Sequence, residues 1–136
     1  MTTDPGRLAT SIRVLVVDDV LDLAESFAEA LNEFEDVEVV GTAPNGVEAV
    51  RLTSTLEPDI VLMDIRMPVM DGIKATRLIA RLESAAKVLM MTAYDDDSLV
   101  REAMDAGADG YLVKGTLVAD TVRAIRAAVV PSVATG

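Results

Sequence analysis

Five short, unbroken apolar runs separated by amphipathic stretches leave this chain few architectures. The runs are IRVLVVDD (12–19), VEVVGTA (37–43), DIVLMD (59–64), KVLMMTA (87–93) and GYLVK (110–114). Continuous apolar runs of this length suit parallel strands covered on both faces. Between them, apolar residues recur at helical steps. Val20, Leu23, Phe27, Leu31 and Phe34 mark a first helix; Val47, Val50, Leu52 and Leu56, with Ser54 among them, mark a second. Ile73, Leu78, Ile79 and Leu82 mark a third, Leu99, Val100, Ala103 and Met104 a fourth, and Leu117, Val122, Ile125 and Val129 a fifth.

The punctuation agrees with that division. Asn45 followed by Glu48 reads as a capping box at the second helix, and Asp71 as the cap of a helix opening at Gly72. Gly107 ends the fourth helix and Pro131 stops the fifth. Five βα units predict one α/β domain with a doubly wound parallel sheet. The division is a polar tail over 1–11, the domain over 12–130 and the start of a linker over 131–136.

Composition narrows the chemistry. The 136 residues include no cysteine and no histidine, which removes thiol nucleophiles, the usual general base and most zinc sites. A bound metal would be hard, of the Mg²⁺ or Ca²⁺ type. The net charge of −11 argues against direct nucleic-acid binding, which needs a basic footprint. No run of about 18 apolar residues occurs, so no membrane span is expected. The start MTTDPGRLATS lacks a secretory apolar stretch, and a cytoplasmic location is expected.

In an open parallel sheet, ligands bind beyond the carboxyl ends of the strands. Here those ends carry Asp18 and Asp19, then Asp64, Thr92 and Lys114. Each alone is an ordinary polar strand end, with Thr92 a β-branched filler and Tyr111 a core aromatic. Together they form a complementary set on one edge. Two carboxylates about 5 Å apart repel by roughly 3 kcal/mol at an effective dielectric near 20. Lys114 offsets part of this, and a divalent cation would offset more. The two readings, a plain Lys114–Asp64 ion pair or a metal site that handles phosphate, are both open on electrostatics alone.

The acidic pair in VLVVDD, the aspartate in VLMDIRMPVMDG, the threonine in MMTAY and the lysine in GYLVK resemble, in order and spacing, the receiver domain of a two-component response regulator. The resemblance runs from about Ile12 to Val130 and is greatest to the LuxR/NarL-type subfamily, whose members carry a C-terminal helix-turn-helix domain. It implies a flavodoxin-like three-layer sandwich with strand order 2-1-3-4-5. It further implies Asp64 as phosphoacceptor for a sensor histidine kinase, and Mg²⁺ held by Asp19, Asp64 and the Arg66 backbone carbonyl, with Asp18 acting through water. Lys114 and Thr92 would engage the phosphoryl group, Pro68 would shape the following loop, and Thr92 with Tyr111 would form the switch. Arg66 and Tyr94 would gate the water that ends the signal. The resemblance also implies an output domain beyond this chain and a homodimer formed on phosphorylation. Gly115 departs from the pattern, since many receivers have proline after the lysine.

Three rivals are weaker. An aspartate-nucleophile Mg²⁺ phosphatase would need an Asp-x-Asp pair, whereas Asp18 and Asp19 are adjacent. A nucleotide-binding module would need a G-x-G-x-x-G or P-loop stretch, and none follows a strand. A stand-alone receiver acting only as a protein-binding switch would not need the full set Asp18, Asp19, Asp64, Thr92 and Lys114.

Overall fold

A computed structural model describes residues 11–93 and 97–130. In chain order the elements are β1 (Ile12–Val17), α1 (Leu21–Asn32), β2 (Val37–Ala43), α2 (Gly46–Leu56), β3 (Ile60–Asp64), α3 (Gly72–Ile79), β4 (Lys87–Thr92), α4 (Asp97–Ala106), β5 (Gly110–Val113) and α5 (Val118–Val129). The strands form one parallel sheet in the order β2-β1-β3-β4-β5. This is the expected doubly wound arrangement.

Each apolar strand supplies both layers of the core because alternate residues face opposite sides of the sheet. Leu15, Val17, Val61, Met63, Val88 and Met90 pack in one cluster with residues of α2, α3 and α4. Val14, Val16, Ile60, Leu62 and Leu89 pack in the other, with Ala24 and Leu31 of α1 and Val122 and Ile125 of α5. The register of β1 against β2 shifts between Val14 and Leu15. The strand runs end a residue or two earlier than the sequence pattern alone indicates, which leaves Asp18, Asp19 and Lys114 just past the sheet.

Several expected core positions face solvent. Leu23, Val47, Met104 and Leu117 are exposed, as are Val20 and Tyr111. On α1 the fully buried positions are Ala24 and Leu31, on α2 Gly46, Ala49 and Thr53, and on α3 five residues of which only two, Ile73 and Ile79, are large. The strands already carry the bulk, so the helices lie close over them on small residues and large side chains fall to the flanks. Val20 precedes α1, Leu117 precedes α5, and Leu82 lies beyond the end of α3. Tyr111 is not core, because β5 is an edge strand whose alternate residues, Tyr111 and Val113, are uncovered.

The caps are partly as anticipated. Asn45 Oδ1 accepts from the Glu48 backbone N–H at 3.0 Å, and Asp71 Oδ1 from Lys74 N–H at 2.8 Å. The reciprocal half of the Asn45–Glu48 box is replaced: the Glu48 carboxylate takes Arg51, at 2.7 and 2.9 Å. At the other end of α2, Arg13 Nη1 donates to the Leu56 and Glu57 carbonyls at 2.7 and 2.8 Å. A side chain from β1 thus satisfies orphan carbonyls of a helix whose cap residue, Glu57, has φ 50° instead of a glycine. Arg126 of α5 forks onto Asp36 at 2.7 and 3.0 Å and lies 5.9 Å over the Phe34 ring, tying α5 to the turn before β2. The hydrogen bonds from Arg126 hold Asp36 below the usual carboxylate range.

Candidate functional site

The carboxyl ends of β1, β3, β4 and β5 open onto one cleft of about 250 Å³, lined by Asp19, Asp64, Arg66, Thr92, Leu99 and Lys114 among others. Asp64 is the last residue of β3, a central strand bonded to β1 on one side and β4 on the other. Its carboxylate is buried, that of Asp18 half-buried and that of Asp19 exposed, and one oxygen from each lies within 4.8 Å of the other two. Lys114 Nζ donates to Asp64 Oδ2 at 2.9 Å. The Lys114 backbone N–H also bonds the Thr92 carbonyl at 2.6 Å, so β4 and β5 deliver their two polar residues to the site as a unit.

Burial pushes the Asp64 carboxyl up, and the charges of Asp18 and Asp19 push the same way. The hydrogen bond and charge of Lys114 pull it down, and the net shift is upward. Among the described residues neither Asp18 nor Asp19 has a cationic partner. Asp18 Oδ1 accepts from Val20 N–H at 2.9 Å, just ahead of α1. The ion pair expected on the plain reading is therefore present, yet it answers one carboxylate of three. Three convergent oxygen donors with a surplus of negative charge fit a hard dication.

The segment after β3 is held tightly. Val69 has φ 69°, a conformation that a β-branched residue adopts only under strain, and Met70 N–H closes a three-residue turn onto the Pro68 carbonyl at 2.7 Å. Met70 in turn accepts from Gly46 N–H at 3.0 Å, so the start of α2 braces the turn. Pro68 thus contributes its carbonyl to the turn. After Lys114, Gly115 has φ 92°. Proline, fixed near −65°, has no access to that angle, which accounts for glycine at this point of the chain.

Asp19, Asp64, Thr92 and Lys114 line one cleft together with Arg66, and Asp18 lines an adjoining pocket that shares Asp64 and Lys114 with it. Tyr111 stands 44% exposed on the edge strand β5. Tyr94 lies outside the described residues. Sequence reasoning missed the Val69 turn and its brace at Gly46. The only signals were the proline before Val69 and the glycine after Asn45, neither of which specifies a partner.

A family model described as the response regulator receiver domain matches residues 14–126. The chain is 45% identical over 111 residues to the transcriptional regulatory protein LnrK of Bacillus subtilis, covering 82% of this chain and 50% of that protein. It is 44% identical over 117 residues to the transcriptional regulatory protein LiaR of the same organism, covering 86% and 56%. The chain thus spans about half the length of these relatives. Among solved structures, the signal receiver domain of the response regulator NarL from Mycobacterium tuberculosis superposes with a TM-score of 0.82 at 34% identity, over 86% of this chain and 94% of that one. A LuxR-family two-component response regulator from Aurantimonas gives 0.81 at 35%, over 86% and 84%.

Proposed function

The chain belongs to the response regulator receiver domain family, of LuxR/NarL type, and from that membership we propose that it accepts a phosphoryl group on Asp64 from a sensor histidine kinase. The observation that carries this reading is the cluster itself: three converging carboxylates against one lysine, at the carboxyl edge of a parallel sheet. A carboxylate oxygen of Asp64 forms the new O–P bond while the donor's P–N bond breaks and its electron pair stays on the imidazole nitrogen. The chain has no histidine, so the phosphohistidine of the donor lies outside these 136 residues.

Asp19 and Asp64, with the backbone carbonyl of Arg66, would hold Mg²⁺, and Asp18 would act through water. When bound, the ion supplies neutralisation of the charge on the transferring group. Lys114 supplies the protein's own share of that neutralisation from its position on Asp64. Thr92 donates its hydroxyl to a phosphoryl oxygen, and Tyr111 moves from its exposed place toward the space behind Thr92, which changes the surface of α4, β5 and α5. The expected consequence is a homodimer, or control of a helix-turn-helix output domain joined after α5, and hence of transcription. A cytoplasmic setting follows from the kinase partner.

Incubation with acetyl phosphate and Mg²⁺ should add one phosphoryl group per chain by intact mass, and EDTA should prevent it. Unchanged mass in Mg²⁺, or uptake unaffected by EDTA, would refute the reading.

The lifetime of the signal is a second expected outcome. Arg66 is large and sits at the rim of the cleft, and Tyr94 is large by sequence. An arginine pairs with phosphoryl oxygens and crowds out water, while neither residue offers a carboxylate or small amide to orient a water. Self-dephosphorylation should be slow. Arg66→Asn with Tyr94→Glu should speed it about tenfold or more, a barrier change of about 1.4 kcal/mol. Decay of the phosphorylated mass after donor removal measures it, and equal decay in parent and double variant refutes the gate.

A further inference from the structure

We propose that Gly72 is a positioning residue for Asp64: the absence of a side chain there lets the first turn of α3 rest on the main chain that carries the nucleophile. The inference deepens the phosphoacceptor reading and rests on it.

A Cβ at Gly72 would lie 2.1 Å from the Asp64 carbonyl oxygen, 3.0 Å from its carbonyl carbon and 2.9 Å from Met63 Cγ. The first two are backbone atoms of a strand bonded on both sides, with Met63 opposite Val17 and Asp64 opposite Met91. No side-chain rotation relieves such a contact. Gly72 N–H also donates to the Ile65 carbonyl at 2.7 Å. One residue therefore fixes two successive units, the Asp64 carbonyl by contact and the Ile65 carbonyl by a hydrogen bond. The Ile65 unit leads directly to the Arg66 carbonyl proposed as a metal ligand.

The helix start is itself pinned. Asp71 caps it through Lys74 N–H at 2.8 Å, and the buried Thr76 hydroxyl donates to the Gly72 carbonyl at 2.8 Å. Gly72 thus transmits the position of α3 to Asp64. Misplacing a reacting group by about 1 Å can cost on the order of 10²-fold in rate, and adding a Cβ demands a shift of that size. Asp71 is the softer handle on the same contact: Ala removes the cap, whereas Ser removes the charge and keeps a capping oxygen.

The test measures the rate of phosphoryl uptake at saturating acetyl phosphate and Mg²⁺, with folding monitored by circular dichroism. The parent protein must be labelled, which tests the phosphoacceptor reading separately; if it is not, that reading and this inference fall together. With the parent labelled, Gly72→Ala should fold and lose at least tenfold in the saturating rate. If Gly72→Ala does not fold, Asp71→Ala decides, with at least a threefold loss where Asp71→Ser stays within twofold of the parent. A merely structural role would lower the melting temperature and leave the saturating rate per folded molecule unchanged. The inference is overturned by a folded Gly72→Ala protein with the parent's rate. It is equally overturned, if that variant is unfolded, by Asp71→Ala and Asp71→Ser proteins with equal rates.

Discussion

Asp64→Asn is expected to abolish phosphoryl uptake and, in metal-free solution, to raise the melting temperature above that of the parent. The first effect follows from loss of the nucleophile, since an amide oxygen cannot form the acyl phosphate. The second follows from burial. Asp64 titrates above the usual carboxylate range because burial disfavours its charge, and Asp18 and Asp19 add to that. A folded state that holds its proton more tightly than the unfolded chain gains stability from Asp64 below the ordinary carboxylate pKa, about 4. That gain is lost as pH rises from there through the raised folded value. At neutral pH the ionised Asp64 therefore opposes folding, and Asn, of similar shape and uncharged, does not. Melting curves in EDTA over a pH series, for parent and variant, measure the difference. The Asp36–Arg126 pair has the opposite sign, giving stability above the carboxylate range that fades on acidification, but it is common to both proteins and cancels. A variant that melts at or below the parent at pH 7 would contradict this account.

Lys114→Met should slow phosphoryl uptake by roughly 10²-fold or more, the usual scale for removing one preorganised electrostatic group from a reacting centre. Nζ stands 2.9 Å from Asp64 Oδ2 and is the cation among three carboxylates. Stability should fall too, since Asp64 is left buried beside two like charges with no partner. Breaking a fully buried pair costs about 3–5 kcal/mol. Lys114 is 36% exposed, and solvent screening brings the expected loss to about 1–2 kcal/mol. In an Asp64→Asn background most of that loss should vanish, because the charge that needed Lys114 is gone. Uptake rates by intact mass for the parent and Lys114→Met, and urea midpoints for the four proteins of the cycle, decide the matter. An equal cost of Lys114→Met in both backgrounds would show that the lysine acts on something other than Asp64.

The features legible in the sequence are those written in neighbouring residues. The runs around Val14, Val61 and Val88 announce buried parallel strands, Asn45 and Asp71 announce helix starts, and the polar residues at the ends of four of the five runs announce the edge where carboxylates and lysine gather. What was not legible depends on partners distant in sequence. Arg13 completes α2 by bonding residues 43 and 44 positions away, and nothing around it in the chain signals that duty. Leu23, Val47, Met104 and Leu117 satisfy a helical period yet lie on flanks, because the period gives a face and not the width of the layer beneath it. Tyr111 shows the same limit for a strand: the apolar run around it is as continuous as that of β3, and only its place at the sheet edge uncovers it. The clasp of Gly72 on Asp64 is a contact between main chains, for which the letter G gives permission but no address.

The strand order has a consequence for the newly made chain. β1 leaves the ribosome first, yet it lies between β2 and β3, so its second partner arrives only when Ile60 to Met63 have been made. Lys114 follows Asp64 by 50 residues. At about 5–20 residues per second, those residues take roughly 2.5–10 s to synthesise. During that interval Asp18, Asp19 and Asp64 exist without the ammonium that makes their assembly tolerable, and β4 and β5 are still unmade or confined. A half-translated chain can therefore neither close its sheet nor complete its acidic edge, and the cluster gains its lysine only after the last strand.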